Sequence, residues 1–185
     1  MSLPLGLLGL LRYNTNTGYD LSKLFKESLN SFWHAQHSQI HRELTRMEEK
    51  GWVSSQNVIQ EGRPNKRVYS ITDKGNEVFN EWMNEPADLL CNRHNPLLMS
   101  VFFGAASPQE TLRRLKIVRD EWTAILEPNT QKHRTLINKY KSSVPNGENE
   151  SMYWQMVLDY GVADAKMIIK WAQDCIDKLE KELNK

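Results

Sequence analysis

The sequence predicts a mainly α-helical protein with one small β-hairpin, built in two parts spanning residues 1–85 and 86–185. Three observations lead there. Apolar residues recur at helical spacing over most of the 185 residues. A single pair of strand-like runs, VSSQNVIQ and KRVYSIT, flanks the turn segment EGRPN, where Gly62 and Pro64 mark a reversal. Two long amphipathic stretches fill the second half, separated by the polar run SSVPNGENE, and read as an antiparallel helical pair.

In chain order, the apolar run over residues 3–11 reads as a buried first helix beginning near Pro4, at a position that tolerates proline. It has no basic segment in front and no small-residue cleavage site behind, and it is too short to span a bilayer, so no membrane partner is expected. Residues 14–17 read as a turn into a second helix from Gly18, with Leu21, Leu24, Phe25 and Leu29 at core spacing. Tyr19 is assigned to packing in the core or between domains, with a phosphate contact through its hydroxyl as the alternative, and Phe32 and Trp33 are expected to pack beneath the next helix.

That next helix is HSQIHRELTRMEEKG, residues 37–51. Ile40, Leu44 and Met47 form one apolar stripe, and Gln39, His41, Arg42, Thr45 and Arg46 occupy the other faces. Ser38 is placed to cap its start and Gly51 to end it. The hairpin follows, with Val53, Val58, Val68, Tyr69 and Ile71 as its apolar content and Arg63, Lys66 and Arg67 at or beside its tip. Thr72 can cap a further helix carrying Val78, Phe79, Trp82 and Met83, ending before Pro86. Residues 85–95 read as a linker.

In the second part, LLMSVFF is apolar enough to be fully buried. Ser107, Pro108 and Glu110 write a helix start. Leu112, Leu115, Val118, Trp122 and Ile125 then run down one face, and Pro128 is expected to kink or interrupt the helix before it resumes through Tyr140. A loop over residues 142–150 leads into a last helix with apolar positions from Tyr153 to Leu183. Two such helices cannot enclose their own stripes, which implies a homodimer formed through residues such as Leu112, Leu115, Trp122, Ile168, Trp171 and Leu179.

Hydrophobic residues at 39% and charged residues at 25% describe an ordinary globular chain rather than a disordered one. Net charge is only +1 and the first 85 residues are balanced in sign, so bulk charge gives no support for nucleic-acid binding; the placement of cations must carry it. Cys91 and Cys175 are far apart and have no partner at metal-ligand spacing, which points to free thiols in a reducing cytoplasm. His37 and His41 lie one helical turn apart without an evident third ligand, so no metal is expected. No glycine-rich phosphate loop, GxSxG or HExxH occurs, and neither an enzyme nor a cofactor is expected.

A helix followed by a hairpin with a basic tip is the order of a winged helix-turn-helix. Its polar helix face suits the major groove of double-stranded DNA, with Ser38, Gln39, His41, Arg42 and Arg46 as contacts and Arg63, Lys66 and Arg67 anchoring the wing. The alternative is a solvated helix face in a winged-helix adaptor that binds protein. A charged His41 at the DNA would tighten binding as pH falls towards ~6.

The runs GYDL, SLNSFW, HSQIHREL, RMEEKGWV, QEGRPNKRVYSIT and TDKG, in this order and spacing, resemble the N-terminal domain of the PadR family of bacterial transcriptional regulators. The beginning MSLPLGLLGLL and the length of the second half resemble its subgroup with a long helical C-terminal region, which includes virulence-gene activators as well as repressors. The resemblance implies sequence-specific DNA binding, dimerisation through the C-terminal helices and, as the leading expectation, repression. Some PadR-like proteins respond to phenolic acids or flat hydrophobic compounds, which would make Trp122, His133, Tyr140, Tyr153, Trp154, Tyr160 and Trp171 candidates to line a pocket for a small aromatic effector; the favoured reading is that these aromatics fill a dimer core. The family usually has Tyr where this chain has His41, so that contact is not carried over.

Overall fold

The structure is a computed structural model that describes residues 3–30, 32–59, 65–85 and 95–184. Arg63 and the turn around it, Cys91 and most of the expected linker lie outside these residues. The chain forms two compact units, one of Met1–Ala87 with Ser143–Asn146 and the other of Asp88–Ser142 with Gly147–Lys185.

The first unit begins with α1, Leu3–Tyr13, whose Leu7, Leu8, Leu10 and Leu11 are buried. Next comes β1, Asn16–Thr17, a two-residue strand where the sequence had read only a turn. Thr17 then caps α2, Gly18–Ser28, its hydroxyl accepting from the Asp20 amide at 3.0 Å. The third helix, α3, spans His37–Glu49. The stripe Ile40, Leu44 and Met47 is sealed against Leu7, Leu8, Leu21 and Phe25 in one continuous core. Each such side chain contributes roughly 1.5–3 kcal/mol on burial.

The start of α3 differs from expectation. Gln36, not Ser38, is the cap residue, and its backbone N–H donates to Oε1 of Gln39 at 2.8 Å. A side chain three residues into the helix thus satisfies an amide that the first turn leaves open. Gly51 ends the helix with φ +73°, the left-handed conformation that glycine adopts without penalty.

Strands β2, Val53–Val58, and β3, Lys66–Ile71, pair antiparallel from Val53 opposite Ile71 to Val58 opposite Lys66. β1 adds on the far side of β3, Asn16 opposite Tyr69, which makes a three-stranded sheet in the order β1-β3-β2. The last helix of the unit, α4, spans Asp73–Asn84 and starts where Thr72 was expected to cap it. Thr72 accepts from the Gly75 amide at 3.1 Å and donates to the Gly51 carbonyl at 2.7 Å, while its own N–H reaches the Trp52 carbonyl at 3.1 Å. A Cβ at Gly75 would sit 2.1 Å from that Trp52 carbonyl oxygen, so only glycine lets α4 start this close to the end of α3.

Tyr19, Phe32 and Trp33, read as packing residues, are all exposed. The reading used their apolar rings alone, but each lies off the Leu21–Phe25 and Ile40–Leu44–Met47 faces that the core covers.

The second unit holds α5, Pro96–Phe102, capped by Asn95, then a 3-10 turn at Gly104–Ala106, α6 over Pro108–Lys141 and α7 over Gly147–Leu183. α6 passes through Pro128 without interruption. Proline removes one amide donor, and the pairing of α6 with α7 along their length supports the helix across that gap. α7 starts at Gly147, earlier than read, because Asn146 turns the chain with φ +53°.

Leu115, Ala172 and Ile176 are buried between α6 and α7, with Leu112, Trp171, Cys175 and Leu179 packed around them. Leu115 and its neighbours therefore hold the two helices to each other, and Leu115, with no exposed surface, is not available to a partner. Trp122 and Ile168 are half-buried. Lys116 pairs with Glu180 at 2.6 Å, and Arg119 donates to Gln173 at 2.8 Å across the same seam. The segment expected to be fully buried is largely open: Met99 is 66% and Phe102 81% exposed. Among the described residues, no helix is long and apolar enough to cross a membrane.

Gly75→Ala is expected to destabilise the first unit by about 1–3 kcal/mol or more, because a backbone carbonyl must move to admit one methyl group. Urea unfolding followed by Trp52 fluorescence measures the loss.

Candidate nucleic-acid interface

With Ile40, Leu44 and Met47 buried, the opposite faces of α3 are fixed outward. Ser38, Gln39, His41, Arg42, Thr45 and Arg46 are all exposed. Three of the predicted contacts already have partners within the chain. Gln39 uses Oε1 on the Gln36 amide, which leaves its NH2 group as the outward donor. Arg46 lies 3.5 Å from Glu43, an exposed pair that costs little to separate. Arg67 is the most committed of them.

Arg67 Nε donates to Ser55 Oγ at 2.8 Å, and its Nη2 donates to Glu48 Oε2. Ser55 in turn donates to Glu48 Oε1 at 2.6 Å. The Ser55 hydroxyl, followed by the Arg67 guanidinium, holds the Glu48 carboxyl below the usual carboxylate range against the opposing effect of burial. The guanidinium also lies over the ring of Tyr69, 5.4 Å from its centroid. Sequence reasoning missed Glu48 and Ser55 because they are separated from Arg67 by 19 and 12 positions, beyond any local motif.

The structure brings His41, Lys66 and Arg67 to one open cleft, together with Gly18, Thr45 and Tyr69. Its walls are the start of α2, the outward face of α3 and the wing. His41 lies against the α2 backbone: a Cβ on Gly18 would be 2.6 Å from His41 Cε1. On its other side is His37, ring centroids 4.3 Å apart, with Tyr19 edge-on to His37 at 6.3 Å. Partial burial, and then the charge of His37, lower the pKa of His41 below the ordinary histidine value. The sign matters for recognition: the shift favours the neutral imidazole, and protonation starts at a lower pH than an unperturbed histidine would give. The tightening expected from a charged His41 would therefore set in at a lower pH than the sequence reading placed it. Among the described residues, no three His, Cys, Asp or Glu side chains gather at metal-binding spacing.

Gly18→Ala tests this contact. The added methyl group meets only the mobile end of an exposed ring, so stability should change by less than about 1 kcal/mol while His41 is displaced. The His41 proton resonances should shift and DNA affinity should change; an unshifted His41 spectrum would contradict the packing.

Comparison with known proteins identifies the arrangement. Residues 7–81 match the transcriptional regulator PadR-like family, and residues 94–180 match the virulence activator alpha C-terminal family. A probable transcriptional regulator of Mycobacterium tuberculosis is 42% identical over 86 residues, a match covering 46% of each chain. The negative transcriptional regulator PadR of Bacillus subtilis is 26% identical over 97% of this chain and 98% of its own. Its crystal structure in complex with operator DNA superposes with a TM-score of 0.80 at 24% identity, covering 96% of this chain and 97% of that one. The same protein in complex with p-coumaric acid gives 0.76 at 22% identity over 96% and 98%. The Vibrio cholerae virulence activator AphA gives 0.72 at 25% identity over 98% and 99%. These relatives are transcriptional regulators, not enzymes, and the two family matches between them span most of the sequence. Residues 7–81 are thus a domain of the transcriptional regulator PadR-like family, with the winged-helix fold, and residues 94–180 a C-terminal region of virulence-activator type.

Proposed function

We propose that this regulator binds a pseudo-palindromic operator as a homodimer, with residues 1–85 reading DNA and residues 86–185 joining the two copies. The single observation that supports the reading most is the outward polar face of α3, opposite a stripe with essentially no exposure. Gln39 through its amide donors, His41 through its ring and Arg42 through its guanidinium meet base edges or phosphates in the major groove. Ser38 and Arg46 approach the backbone, and Arg63 and Lys66 anchor the wing on phosphate.

Dimerisation is supported by apolar surface that the helical pair leaves uncovered. Met152, Tyr153, Met156, Val157 and Tyr160 lie within three turns of α7 and are each about half exposed or more. A run of that kind is unusual on a monomer and suits a two-fold partner. Its position moves the contact from Leu115 to the outer face of α7. Repression is the favoured direction, because the full-length relative in Bacillus subtilis is a negative regulator. The p-coumaric acid complex of that relative supports a small aromatic acid as effector, and a cytoplasmic location follows from the role.

Selection of bound duplexes from a random DNA pool at near-physiological salt tests the proposal. The expected result is a two-fold-symmetric site whose half-sites lie about one helical turn apart. Enrichment of nothing, with weak retention that salt abolishes, would leave only non-specific contact and favour a winged-helix adaptor instead.

A further inference from the structure

The hairpin changes character along its length. Val53 and Tyr69 at its root are buried in the core, whereas Gln56, Asn57 and Val58 on one strand and Lys66 and Arg67 on the other are exposed. Beyond Ser55, no residue of β2 is buried, and the hairpin keeps only the half-buried Val68, paired with Gln56 and with Thr17 of β1. The root is where Glu48, Ser55 and Arg67 meet.

Ser55 is directly opposite Tyr69, and Arg67 precedes Tyr69 by two residues, so all three side chains stand on one face of the sheet. Glu48 is in the last turn of α3. The carboxylate accepts from both the hydroxyl and the guanidinium, and the hydroxyl accepts from Arg67 while donating to Glu48. The three groups close a ring of charge-assisted hydrogen bonds whose geometry is set by a planar guanidinium. Tyr69, 5% exposed, supplies a fixed ring for that guanidinium to lie over. An exposed ion pair alone has little effect on stability, but a planar fork bonded at two nitrogens restricts direction.

We propose that Glu48, Ser55 and Arg67 form a tether that sets the angle of the wing against α3, making Arg67 a positioning residue in DNA recognition rather than a phosphate ligand. The inference rests on the DNA-binding reading above for its consequence, but the tether itself is a property of the free protein. With the guanidinium engaged by a carboxylate, the phosphate contact of this strand passes to Lys66, which has no ion-pair partner among the described residues. The wing's role in affinity then depends on where the tether aims Lys66.

Two readouts on the full chain decide it. Hydrogen exchange of the hairpin amides in the free protein is compared between wild type, Ser55→Ala and Arg67→Met, and affinity for a duplex selected from the random pool is measured across a salt series. Ser55→Ala changes no charge, so it isolates the geometry. Both variants should exchange faster over residues 56–58 and 66–68 and bind roughly 3- to 10-fold more weakly, as expected for one or two lost hydrogen bonds. Their salt slopes should match wild type, whereas Lys66→Ala should lower the slope by about one. The proposal is overturned if Ser55→Ala keeps wild-type exchange and affinity, or if Arg67→Met lowers the salt slope as Lys66→Ala does. A wild-type chain that selects no duplex would sink the DNA-binding reading, and the exchange rates would still judge the tether.

Discussion

The burial of Ile40, Leu44 and Met47 is the constraint on which the first unit depends. A helix can rotate about its axis at little local cost, and nothing in the hydrogen bonding of α3 prefers one face. Three side chains with essentially no exposure, packed on Leu7, Leu8, Leu21 and Phe25, remove that freedom. Turning α3 by one residue position would lift the stripe from the core and cost several kcal/mol of burial. The outward direction of Gln39, His41, Arg42 and Arg46 is thus a consequence of the apolar residues between them. In an almost neutral chain the number of cations is ordinary, and what α3 adds is a fixed outward orientation for Arg42 and Arg46.

The C-terminal end of α3 is a second point of convergence. Within residues 48–52 the helix supplies Glu48 to the wing root, the Gly51 carbonyl to Thr72 and the Trp52 carbonyl to the start of α4. Lys74 adds a bond to the Lys50 carbonyl at 2.8 Å. Carbonyls left without partners by the end of one helix are taken up by the first residues of another. Helix, wing and α4 are therefore registered to each other through a few polar contacts, and β1 locks the other edge of the hairpin to the start of α2.

Much of this was legible in the sequence. The stripe of α3, the glycine that ends it, the hairpin and the threonine cap of α4 all follow from rules acting within a few residues. What was not legible depended on partners far along the chain. Two polar residues, Asn16 and Thr17, give no alternation and pair only because β3 offers a free edge. Arg67 read as a free cation until Glu48 and Ser55 were placed beside it. Ser38 looked like a cap by composition, but the cap lies two residues earlier at Gln36, onto whose amide Gln39 folds back. Apolar content misled in the other direction: Met99 and Phe102 have the composition of a core, yet the described residues leave them exposed.

The central claim is that the buried stripe presents specific side chains of α3 to base edges. Its most direct measurement is a comparison of the sites that wild type and Arg42→Ala select from the same random pool. If Arg42 reads a base, the variant should lose preference at one position in each half-site, by about 1–3 kcal/mol of discrimination, and keep the rest of the pattern. An unchanged motif with uniformly weaker binding would assign Arg42 to phosphate, and the same result for Gln39→Ala and His41→Ala would contradict base reading by this face of α3.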